Sequence, residues 1–310
     1  MIFTIHDKIQ IPDKTHDKTH NGAMFVSASI DSLGAQLISL KDASGREHIW
    51  QRDPAIWGFC SPLLFPAIGN SRNNRTKFDG EWYELAKHGF CRTSEFEAEQ
   101  ISDSEVRFTL CANKETRIHY PYEFVLTLTY RLENGTLSMT YQVENPMNRE
   151  ICYCIGAHPG FLCPMEDGAV FEDYQLEFEK KESISSVLYD LEKLEFDPSR
   201  HGTITLENES VIPLHYDLFD LDAVYFEKTA SHVVRLINRN SGHGVEVAYP
   251  DFGGIGFWTP NGKHAPFLCI EPWNGCAIRM DEDDEFIHKY QVQRLDAHTA
   301  RSYQTRIRMV

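Results

Sequence analysis

The stretch EFVLTLTYRLENGTLSMTYQV, residues 123–143, decides the fold. Phe124, Leu126, Leu128, Tyr130 and Leu132 recur at every second position, with Val125, Thr127, Thr129 and Arg131 between them. An extended chain turns successive side chains to opposite faces, so this pattern sorts into one apolar and one more polar side. The segment TLSMTYQV repeats it with Leu137, Met139, Tyr141 and Val143. Between the two lies Asn134-Gly135, a pair that tolerates the positive φ angles of a tight two-residue turn. The stretch is predicted as an antiparallel hairpin with one buried face.

Outward from it, the same period of two appears at residues 25–30, 106–111, 233–237, 245–249 and 303–309, with Gly, Asn, Asp or Ser clusters between many of them. No long 3.6-residue period competes, so the expectation is an all-β protein, a large antiparallel β-sandwich. A sandwich of that kind can use all 310 residues as one unit, and no linker interrupts them, so a single domain 1–310 is expected. Residues 1–23 are atypical. Their tandem repeat DKTHDKTH, residues 13–20, is rich in charge and is read as a solvated loop, with metal binding by His16 and His20 as the alternative.

With 46 acidic against 30 basic residues the net charge is −16, which argues against nucleic acid or an anionic membrane as partner. The first residues lack the basic start and apolar core of a signal peptide, and no window reaches ~18 uninterrupted apolar residues. A cytoplasmic location is expected. The eight scattered cysteines then read as reduced thiols, mostly small buried apolar side chains.

Three stretches carry a chemically versatile residue beside Gly or Pro: LAKHGFCR around His88, GAHPGF around His158 and CIEPWNG around Glu271. Proline after His158 and after Glu271 biases each toward an extended backbone, as at a strand that faces a groove. A carboxylate inside the apolar run FLCIEPW is seldom left without a partner or a task. The histidines have a plainer reading as satisfied structural residues. A metal reading of His158 with Cys152, Cys154 and Cys163 departs from the paired spacings of zinc sites, and no cysteine sits in an activating context. No metal or cofactor is expected.

The order SPLLFPAIGN, KHGFCRTSEFE, GAHPGF, LDAVYFEK, CIEPWNG resembles the aldose 1-epimerase (galactose mutarotase) family, in its compact bacterial branch, from about residue 25 to the C-terminus. The resemblance implies a mutarotase-type supersandwich with an open sugar-binding groove. It also implies His158 as general acid, Glu271 as general base, and His88 and Asp222 as contacts to sugar hydroxyls. The family carries an arginine shortly after the glycine of the segment matching FPAIGNSRNNR. Asn70 stands there in this chain, and Arg72 or Arg75 is expected to supply the charge.

Interconverting α and β anomers needs one base for the proton of O1 and one acid for the ring oxygen O5. Ring opening, rotation about C1–C2 and reclosure then follow without redox change or metal. Glu271 is expected to be ionised near neutrality, and His158 to be raised in pKa by an acidic environment. Trp273, then Trp57 or Phe161, are candidates to stack on the apolar face of a pyranose. A non-catalytic sugar binder is the competing reading, against which stands the presence of both an acid and a base. A glycoside hydrolase would use two carboxylates, and one is strongly placed. Within the epimerase reading the substrate is a free hexose or a hexose 6-phosphate. Arg72, Arg75, Lys77, Lys87 and Arg92 lie near the right motifs, whereas the net negative charge favours a neutral sugar.

Overall fold

The computed structural model describes residues 1–8 and 25–310, so the repeat at 13–20 with His16 and His20 lies outside the described residues. The hairpin forms as the alternation requires: Val125–Glu133 pairs with Thr136–Glu144, and Asn134 and Gly135 both adopt positive φ (51° and 71°). Both central positions positive is the turn geometry whose twist matches that of antiparallel strands. Phe124, Leu126, Leu128, Tyr130 and Leu132 are buried, as are Leu137, Met139, Tyr141 and Val143. Against this face lies a three-stranded sheet of Ile2–Lys8, Phe25–Asp31 and Gln36–Lys41. Tyr130 donates its hydroxyl to the Ala35 carbonyl at 2.7 Å, and Phe3 meets Phe108 edge to face at 5.7 Å.

The hairpin belongs to a 15-stranded antiparallel sheet. Its order begins Leu63–Leu64, Ile155–Ala157, Phe267–Asn274, Gly254–Trp258, Val224–Phe226, Tyr174–Asp190, and continues Val233–Asn238, Gly244–Ala248, Ala300–Met309, Thr136–Glu144, Val125–Glu133, Glu105–Cys111, Glu97–Ser102. Gly160–Leu162 also pairs with Phe267–Asn274, and Glu195–Pro213 with Tyr174–Asp190. The described residues are all-β in the expected antiparallel sense, and among them the α-helix is the single turn Thr116–His119. Among the described residues no helix is long and apolar enough to cross a membrane. All eight cysteines are free thiols, and all but Cys111 are buried.

One element has no forerunner in the sequence pattern. Tyr174–Asp190 and Glu195–Pro213 form a long hairpin whose register shifts between Glu177 and Glu182 and three times more before Leu188. Each shift resets which side chains face inward, so the period of two is broken within one strand.

Candidate active site

Phe267–Asn274 is buried along its whole length, and its alternation puts Cys269, Glu271 and Trp273 on one face. The neighbouring strand sets glycines beside them: Gly256 pairs with Glu271 and Gly254 with Trp273. On the other side Gly156 pairs with Trp273 and Gly160 with Cys269. A Cβ on Gly156 would come within 2.8 Å of the Trp273 ring, so the absent side chains are what give the indole its seat.

Between Ile155–Ala157 and Gly160–Leu162 the strand is interrupted at His158-Pro159, where proline brings no N–H to the ladder. The register is the same on both sides of the gap, and it sets His158 opposite Glu271. Their side chains meet at 3.2 Å, Nε2 to Oε2. His158 Nδ1, Glu271 Oε1 and the Trp273 indole N–H are buried without a well-formed hydrogen bond, although the indole lies near enough to the Glu271 carboxyl to favour its charged form. Buried polar atoms are nearly always fully satisfied, so three such atoms on one cavity mark a place where a polar ligand fits.

His88 reaches the same cavity from a turn. Its backbone N–H donates to the Gly69 carbonyl at 2.8 Å, and the Gly69 N–H donates to His88 Nδ1 at 3.1 Å. An accepting Nδ1 leaves the proton on Nε2. His88 is held at φ 67°, in the sparsely populated left-handed region, and a Cβ on Gly89 beside it would stand 2.2 Å from the Phe65 carbonyl oxygen. Asp222, at φ 70°, accepts the Trp258 indole N–H at 2.6 Å. Two non-glycine residues in strained backbone on one pocket match the way functional sites store strain.

The cavity holds about 260 Å³, near the lower end of the range for small-molecule sites, and is lined among others by His88, His158, Asp222, Glu271 and Trp273. Trp57 lines it too, stacked on His158 at 5.0 Å, while Trp258 meets the same imidazole edge to face at 5.6 Å. Phe161 does not line it. It faces away from Gly160 and is fully buried.

Neither arginine expected near Asn70 lines the pocket. Arg72 grips Glu195 with two bonds, Nε to Oε1 at 2.8 Å and Nη2 to Oε2 at 3.1 Å, and donates to the carbonyls of Arg279 and Glu282. Arg75 lies over the exposed Trp82 ring at 4.6 Å. Asn70 does line the pocket, but as a brace: its amide donates to the Leu194 carbonyl at 2.8 Å, and its Oδ1 accepts the Tyr189 hydroxyl at 3.1 Å. Arg72 and Asn70 thus fasten the long hairpin, whose Tyr189 and Phe196 form a wall of the pocket. The cations that do line it are Lys87 and Arg92, whereas Lys77 stands at the Trp82 ring.

Burial overturns the expected protonation of the central pair. It raises the Glu271 carboxyl well above its ordinary range, with the Asp222 charge adding to the rise and Lys87 opposing it. It lowers the His158 imidazole, and Lys87 and Arg92 reinforce that. Burial penalises either net charge, which favours one proton shared between the two members of the pair. His158, Cys269 and Glu271 also bring one donor atom each within 4.8 Å, a nitrogen, sulfur and oxygen set of the type that binds zinc. Cys152, Cys154 and Cys163 are not part of that group.

Comparison with known proteins follows the same lines. A family model described as aldose 1-epimerase matches residues 19–282. Two LacX proteins of Lactococcus lactis subsp. lactis, chromosomal and plasmid-borne, are each 34% identical over 287 residues, covering 87% of this chain and 92% of theirs. A galactose mutarotase related enzyme from Lactobacillus acidophilus superposes with a TM-score of 0.87 at 29% identity, covering 100% of this chain and 97% of that one. A galactose mutarotase-like protein from Lactobacillus casei superposes with a TM-score of 0.85 at 26% identity, with 100% of both chains covered.

Proposed function

The chain belongs to the aldose 1-epimerase family of isomerases, and from that premise we propose that it interconverts the α and β anomers of a hexose, with Glu271 as base and His158 as acid. The observation that carries this reading is the 3.2 Å contact between His158 Nε2 and Glu271 Oε2 on the floor of a sugar-sized cavity. O1 and O5 of a pyranose are both bonded to C1, so two groups this close reach one oxygen each. In the charge-separated form of the pair, Glu271 takes the O1 proton as His158 delivers one to O5. Rotation about C1–C2 and the reverse transfers complete the exchange. The pair ends with the proton count it started with, so the cycle needs no net uptake from water.

His88, with its proton on Nε2, is a donor to a sugar hydroxyl, and Asp222 an acceptor held in place by Trp258. Trp57 and Trp258 offer apolar ring surface to the pyranose, while Trp273 is mostly covered by its packing on Tyr225 at 4.9 Å. A protein that only binds sugar has no use for a proton-sharing pair at the cavity floor, which favours turnover over the binder.

Proton-exchange NMR at anomeric equilibrium tests the proposal. Wild type is expected to speed exchange between anomers, and Glu271→Gln to lose on the order of 10²–10⁴-fold in kcat with its fold intact. Turnover undiminished in that variant removes Glu271 as base.

A further inference from the structure

We propose that Lys87 and Arg92 form an anion subsite, so that the sugar accepted is a pyranose bearing a phosphate or a carboxylate on a carbon other than C1. The inference rests on the epimerase reading for the sugar and on independent observations for the charge. Both residues line the cavity that holds His158 and Glu271. Among the described residues neither makes an ion pair, in contrast to the nearby Arg72, held by Glu195, and Arg279, held by Glu227 and Asp281. Burial lowers the Arg92 guanidinium from its ordinary value, and no carboxylate opposes it.

A half-buried guanidinium without an anion is costly, since it has lost water and gained nothing of opposite sign. Arg92 is nevertheless held in place, with its guanidinium over the Phe59 ring at 5.0 Å. A positioned, uncompensated arginine that lines one cavity with a lysine is the arrangement that recognises phosphate and carboxylate groups. In a chain of net charge −16 the long-range field repels anions, so a local pair of cations is what such a ligand would need.

Chemistry narrows where the anion sits. Ring opening requires a free O1–H, so a sugar substituted on O1 cannot react. The charge belongs elsewhere on the ring, as in a hexose 6-phosphate or a hexuronate. Both cations act on the His158 imidazole through space without bonding to it, which leaves them free for another part of the same ligand.

The test has two readouts. NMR exchange rates are compared for glucose, galactose, their 6-phosphates and glucuronate, with wild type, Lys87→Met and Arg92→Met. Calorimetric titration of the same proteins with glucose 6-phosphate, glucuronate and glucose reads binding apart from turnover. An anionic sugar is expected to exceed its neutral parent in kcat/KM and in affinity by on the order of 10- to 100-fold, the equivalent of a charge-assisted hydrogen bond. That preference is expected to shrink by a similar factor in Lys87→Met, whose exposed side chain puts the fold at little risk, and to weaken with salt. Preference for the phosphates over glucuronate, or the reverse, identifies the anion. Equal or better use of neutral hexoses, unchanged by Lys87→Met, overturns the subsite. Absence of exchange with every sugar removes the epimerase reading, and the titrations then still decide the subsite: binding of an anionic sugar lost in Lys87→Met upholds it, and no such binding overturns it.

Discussion

At the scale of single residues the proposed mechanism turns on one shared proton. An isolated carboxyl of pKa 4.5 beside an isolated imidazole of pKa 6.5 would hold a single proton only between those values. Burial disfavours both the doubly protonated pair and the fully deprotonated one, so it widens that window at both ends. The expected profile of kcat/KM against pH is therefore a plateau that includes neutrality, with its acid limb below 4.5 and its alkaline limb above 6.5. Exchange rates measured from about pH 4 to about pH 10 check this. An alkaline limb at the ordinary histidine value would mean that the two groups titrate independently, and the shared-proton account would fail.

At the scale of elements, the wall of the pocket depends on a residue that never touches the cavity. Arg72 joins Glu195 of the long hairpin to the carbonyls of Arg279 and Glu282. Arg72→Ala leaves a largely buried carboxylate and two carbonyls without their donor, at a cost of about 1–3 kcal/mol. Urea denaturation is expected to register that loss. The freed hairpin carries Tyr189 and Phe196, so KM is expected to rise more than kcat falls. A loss of kcat alone would instead put Arg72 among the groups that act on the reacting atoms.

For the whole molecule, buried histidines couple the fold to pH. His48, His88 and His158 are all lowered by burial. Glu271, raised by burial, works in the opposite sense, which makes His88 the cleaner reporter, because every influence on it lowers its pKa. The folded state binds fewer protons at His88 than the unfolded chain does. Its stability contribution is thus complete above the ordinary value of 6.5 and is lost as pH falls below it. Between pH 7 and pH 5 the loss is about 2 kcal/mol if the folded imidazole stays neutral. His88→Asn keeps an acceptor and tolerates the left-handed backbone. Chemical denaturation at the two pH values is expected to show a smaller drop for the variant by about that amount. Equal drops would assign the acid sensitivity to other groups.

The sequence by itself determined the sheet and pointed to the family and to the chemistry proposed for it. Alternation over residues 123–143 and the Asn134-Gly135 turn are local properties, readable because side-chain direction and turn angles depend on adjacent residues alone. His88, His158, Asp222 and Glu271 were legible through short motifs whose order resembles a family. Trp258 carried no such signal, and it joins the site because its strand pairs with that of Glu271, which pairs in turn with the distant strand interrupted at His158. Tertiary structure alone decided which cations face the cavity, since Arg72 and Arg92 look alike until Glu195 is seen to claim one of them. It also decided the direction in which burial moves the pKa values of Glu271 and His158, because the loss of water that moves both is a property of the enclosing fold and of no segment within it.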